Sequence, residues 1–108
     1  GSISGNYTHL SEPFALAFDG NGRLLVADES SGVLVFNAIG NVPPVQHILG
    51  FNGADGVMAD KNNEIYVADF GSKAIKVFAS NATGYATPLR TIEGSKTGLN
   101  GPNFLVKQ

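Results

Sequence analysis

The chain has 108 residues, 43% of them apolar and 15% charged, a composition that excludes an intrinsically disordered segment and fits one ordinary domain. Its formal net charge is -2 and its seven Lys and Arg are dispersed, so no basic stripe exists to neutralise phosphates, and nucleic acid is not an expected partner. The lack of cysteine excludes a disulfide framework, a Cys-based zinc site and a thiol nucleophile, and no run of ~20 apolar residues offers a membrane span. Gly1-Ser2 reads as the residue pair left by tag cleavage. With no signal peptide legible, the sequence does not report its own targeting.

Apolar runs are expected as strands at 14–19, 23–28, 33–37 and 46–49, and again at 56–60, 64–69, 74–79 and 89–93. None reaches helical length, and Val, Ile, Phe and Tyr are enriched in them. Between the first and second run of each set stand Asp19-Gly20-Asn21-Gly22 and Asp60-Lys61-Asn62-Asn63, residues that tolerate positive φ and suit tight hairpins. Leu24 to Ala27 and Val33 to Phe36 are apolar without alternation, so both faces of these strands need cover. The fourth run of each set is short and more polar, as an outermost strand would be.

The two sets are copies of one unit. Leu16 to Asp28 aligns with Val57 to Asp69 at an offset of 41 without a gap, and both segments end in Ala-Asp. One inserted residue later, Val33-Leu34-Val35-Phe36 matches Ile75-Lys76-Val77-Phe78. Ile92-Glu93-Gly94, Leu99 and Pro102 repeat Ile3-Ser4-Gly5, Leu10 and Pro13 at an offset of 89. A period of ~40–50 residues with four strands is that of β-propeller blades. The expected fold is all-β, with two four-stranded antiparallel blades and flanking strands of neighbouring ones.

The pattern Pro13, Leu16-Ala17-Phe18-Asp19, a Gly/Asn turn, Leu24 to Asp28, then Val33 to Phe36 resembles the NHL repeat. Ile65-Tyr66-Val67-Ala68-Asp69 and Ile75-Lys76-Val77-Phe78 match it better still, and residues 87–99 resemble the blade-to-blade link of bacterial NHL-like propellers. The resemblance implies a six- or seven-bladed parent ring, and a scaffold, a ligand binder, or a lactonase- or lyase-type enzyme. It inclines the expected location towards the outside of the cell or the periplasm.

Propellers close with ~4–8 blades, and only two are legible here. The expected layout is an outer strand of a preceding blade and a linker in 1–13, blades at 14–50 and 51–94, and a linker with the first strand of a third blade in 95–108. Ile3, Phe104, Leu105 and Val106 are the expected association edges. The partners follow from this: further copies of the chain, or the remaining blades of a longer parent, with a protein, peptide or glycan as possible ligand.

No catalytic or metal-binding set is legible, and no cofactor is expected. Asp19, Asp28, Asp60 and Asp69 recur at the same place in both units and are read as turn carboxylates that accept backbone N–H groups. Asp19-Gly20-Asn21 and Asp60-Lys61-Asn62 fail as calcium loops, because Ser30 and Gly71 stand where the twelfth-position glutamate belongs. His9 and His47, 38 residues apart, lack zinc-ligand spacing and are expected in solvent or linkers. Phe14, Phe36, Phe51, Phe78 and Phe104 are expected to pack mostly between blades.

Overall fold

The computed structural model describes residues 3–37 and 40–93. Two antiparallel sheets follow each other along the chain. The first contains β1 (Pro13–Phe18), β2 (Leu24–Asp28), β3 (Gly32–Phe36) and β4 (Gln46–Ile48), in that spatial order. The second contains β5 (Ala54–Ala59), β6 (Ile65–Asp69), β7 (Ala74–Phe78) and β8 (Arg90–Glu93), again in sequence order. All eight expected strands form, and the short polar runs lie at the sheet edges as β4 and β8.

Local chemistry explains the equivalence of the sheets. In each first hairpin the residue in the left-handed region is Gly22, at φ 78°, or Asn63, at φ 62°, two residue types that accept this conformation. A β-bulge interrupts the first pair of each sheet at equivalent points, Pro13/Ala15 and Ala54/Gly56, which starts β5 two residues earlier than its apolar run begins. Gly32 opens β3 at φ 100°, where an added Cβ would lie 2.3 Å from the Ile48 carbonyl oxygen. Only glycine lets β3 and the end of β4 come this close.

The principal core lies between the sheets. Leu25, Ala27, Val33, Val35 and Ile48 of the first meet Val57, Ala59, Ile65, Val67 and Phe78 of the second, and Phe51 packs edge-on against Phe78 with ring centroids 5.6 Å apart. A smaller cluster of Val26, Leu34 and Phe36 forms on the opposite face of the first sheet, covered by Ile3, Leu10, Leu24 and Val42. β2 and β3 are therefore enclosed on both sides, which accounts for their lack of alternation. The N-terminal cover has a counterpart within the chain: Ile3 forms a parallel bridge to Gly40 just as Ile48 does to Gly84. The Ser4 N–H accordingly donates to the Gly40 carbonyl at 3.3 Å, and the Leu49 N–H to that of Gly84 at 2.8 Å.

Candidate functional site

The recurring carboxylates tie backbone together. Asp19 Oδ1 accepts the N–H groups of Asn21 and Arg23 at 2.9 and 2.8 Å, and Asp60 Oδ1 those of Asn62 and Glu64 at 2.8 and 3.0 Å. The second oxygens differ, Asp19 Oδ2 taking Arg23 Nε at 2.7 Å and Asp60 Oδ2 the Tyr66 hydroxyl at 3.2 Å. Burial acts to raise both pKa values, but the donors outweigh it and hold both groups below the usual carboxylate range. Arg23 also donates to the Ser80 carbonyl at 3.0 Å and to Gln46 Oε1, stitching the first sheet to the loop between β7 and β8.

Asp28 and Asp69 are fully buried and reach further than their own hairpins. Asp28 Oδ2 accepts the Ser11 and Glu12 N–H groups at 2.7 and 3.1 Å, while Oδ1 accepts those of Ser30 and Ser31 at 3.1 and 3.0 Å. Asp69 Oδ1 takes the Asn52 N–H at 3.0 Å, and its Oδ2 takes the Ser72 hydroxyl and Lys76 Nζ, each at 3.0 Å. Residues 11 and 52 are equivalent in the repeat, so each carboxylate clamps the segment that enters its own sheet. Beside the clamps, the Glu29 N–H donates to the Glu12 carbonyl at 3.0 Å and that of Phe70 to the Gly53 carbonyl at 2.9 Å. For Asp28 burial again raises the pKa, and the N–H groups of Ser11, Glu12, Ser31 and Ser30 more than reverse it.

Two arrangements were not legible from sequence. Asp55, the bulge residue of β5, is 6% exposed and its Oδ1 has no hydrogen-bond partner. Burial and the negative charge of Glu29 push its pKa up. The one available signal was a carboxylate at the position where the first repeat has Phe14. His9 and His47, distant in sequence, lie with ring centroids 6.1 Å apart, and His47 Nε2 meets the Ser31 carbonyl oxygen. Among the described residues no three His, Cys, Asp or Glu side chains are grouped to hold a metal ion.

One exposed surface of the first sheet is apolar. Phe14, Leu16 and Phe18 of β1 are 63%, 66% and 67% exposed, alternating with Ala15 and Ala17, which pack into the inter-sheet core. Phe78 is buried between the sheets with Phe51 edge-on to it, as expected, whereas Phe36 is buried on the opposite face of the first sheet and Phe14 is exposed, with no described residue covering its face of β1. Of the expected association edges, Ile3 lies on the small cluster and bridges Gly40. Phe104, Leu105 and Val106 lie outside the described residues. No described helix is long and apolar enough to cross a membrane.

Comparison with known proteins adds one finding, since no curated protein matches the chain. Residues 51–78, which hold β5, β6 and β7 together with their turns, match the family model of the NHL repeat, so the second sheet carries an NHL repeat and the first repeats its architecture strand for strand.

Proposed function

We propose that the chain is a non-catalytic segment of an NHL-type β-propeller, acting as a binding and scaffold module that associates through the uncovered face of its first sheet. NHL repeats build β-propeller-type interaction modules, and they are generally non-catalytic. The observation that carries the reading is the stripe of Phe14, Leu16 and Phe18, on a sheet whose other apolar surfaces are covered. Contiguous exposed apolar side chains of this size mark interaction surfaces. Transferring them from water to an interface is worth ~25 cal/mol per Å² of apolar area.

The partner is a further sheet, supplied by a longer parent or by another copy of the chain. The catalytic alternative of a lactonase- or lyase-type propeller has Asp55 in its favour, a buried acid held above its ordinary range, while among the described residues no three His, Cys, Asp or Glu side chains are grouped as a metal-ligand set. Light scattering coupled to size exclusion at micromolar concentration tests the association. The expected mass is a multiple of the 11.2 kDa chain, and a stable single-chain mass overturns the reading.

A further inference from the structure

We propose that the hollow between the β2–β3 turn, the β4–β5 link and the β7–β8 loop binds a cationic side chain of a peptide segment, a lysine ammonium or an arginine guanidinium, between the Tyr85 ring and the Glu29 carboxylate. The hollow measures about 390 Å³, within the range of small-ligand sites. It shares no residue with the β1 stripe, and the inference does not depend on the association reading above.

Backbone contacts set Tyr85 in place. The Gly84 N–H donates to the His47 carbonyl at 2.7 Å, and the Gly84 carbonyl accepts the Leu49 N–H at 2.8 Å. The next ring then lies against Gly50, where an added Cβ would stand 3.4 Å from Tyr85 Cδ1. The side chain is nonetheless 82% exposed. The first repeat shows that the fold does not need an aromatic here. Gly40 is the counterpart of Gly84, so Asn41 is that of Tyr85, and Asn41 Oδ1 accepts the Tyr7 N–H at 2.9 Å. A ring held by backbone yet turned to solvent is preorganised for a partner.

The hydrogen-bonding capacity left over in the wall selects the charge of that partner. Ser30 Oγ donates to Glu12 Oε1, Ser31 Oγ to the His9 carbonyl at 2.9 Å, and Asn52 Nδ2 to Ser72 Oγ at 2.8 Å. The backbone N–H groups of the same three residues are taken by Asp28 and Asp69. What remains is mainly acceptors: the Glu29 carboxylate, Asn52 Oδ1 and the serine lone pairs. Glu29 is the charged residue of the lining, and it forms no ion pair among the described residues. A cation supplies donors alone, gains a charge-assisted bond to Glu29 and lies against an aromatic face. Phe51, also in the wall, already has such a contact within the chain, with Lys76 Nζ 5.6 Å from its centroid. That lysine is neutralised by Asp69 at 3.0 Å, so it does not cancel the field of Glu29. The same field acts on buried Asp55, whose Oδ1 has no hydrogen-bond partner, and a bound cation relieves that repulsion.

The test follows backbone amide signals by nitrogen–proton correlation spectroscopy during titration with blocked tripeptides, acetyl-Gly-Lys-Gly-amide and its arginine and norleucine counterparts, to millimolar concentration. The lysine and arginine peptides are expected to move the signals of residues 29–32 and 49–52 saturably, and the norleucine peptide to leave them in place. Glu29→Gln and Tyr85→Asn, with the parent signals retained elsewhere, are each expected to weaken binding several-fold, as is added salt. Equal affinity for the norleucine peptide overturns the cationic reading and leaves an apolar groove. Saturable movement of those signals by cellobiose, with none by the lysine peptide, overturns it in favour of a sugar. Unchanged affinity in both variants overturns the roles of Glu29 and Tyr85, and no movement with either cationic peptide overturns the site.

Discussion

Leu16 and Val57 occupy the same position in two copies of one structural unit, yet the first is 66% exposed and the second 7%. Phe18 and Ala59 repeat the contrast at 67% and 6%. Strand order, register, bulge and first turn agree between the sheets, so the difference does not arise in local structure. It arises because the first sheet lies over β5, while among the described residues no sheet lies over this face of β1. The same step separates Phe78, in the inter-sheet core beside Phe51, from Phe36, which is buried under Ile3, Leu10 and Val42. A blade of this kind therefore acquires its core from its neighbour, and the N-terminal segment is a partial substitute for one.

The strongest way to break this comparison is to truncate the two phenylalanines. Phe78→Ala is expected to cost about 3–5 kcal/mol in urea-induced unfolding, and Phe36→Ala less, because the segment over Phe36 can close on the cavity more readily than a packed sheet. An equal or larger loss for Phe36→Ala would show that the N-terminal segment covers as firmly as a blade does.

A smaller effect is expected at the Asp28 clamp. Asp28→Ala leaves the N–H groups of Ser11, Glu12, Ser30 and Ser31 without their acceptor, and should destabilise by about 1–3 kcal/mol at neutral pH. The folded pKa of Asp28 is depressed, so its contribution is present above the unfolded value of ~3.9 and is lost as pH falls through the lower folded value. Denaturation profiles across the acid range should accordingly show a shallower acid limb for the variant than for the parent.

The smallest effect concerns Asp55, which stands where the other copy has Phe14. Its folded pKa is raised, so the folded state is penalised while the group is charged, and the penalty disappears as pH falls below the unfolded value. Asp55→Asn should stabilise the fold at neutral pH by an amount on the order of 1 kcal/mol, read as a higher midpoint of thermal unfolding, and change little in acid. A loss of stability at neutral pH would instead mean that the carboxylate has a partner in the assembled protein.

What each residue could read from its neighbours was legible in the sequence. The eight strands, the Gly22 and Asn63 turns and the 41-residue repeat follow from β-branched and aromatic runs punctuated by residues that accept positive φ. So did the need of β2 and β3 for cover on both faces, because a strand that does not alternate has no side to give to water. Asp19 and Asp60 were also readable, since the N–H groups they accept lie within four residues.

Only the tertiary structure decided what supplies the cover. That Asp28 grips Ser11 and Glu12, that Ile3 bridges Gly40, that His9 meets His47 and that Asp55 is buried without a partner for Oδ1 all depend on which segments are stacked together. Leu16 and Val57 carry the same apolar signal in the sequence, because hydrophobicity states that a side chain favours burial and is silent about where the covering surface comes from.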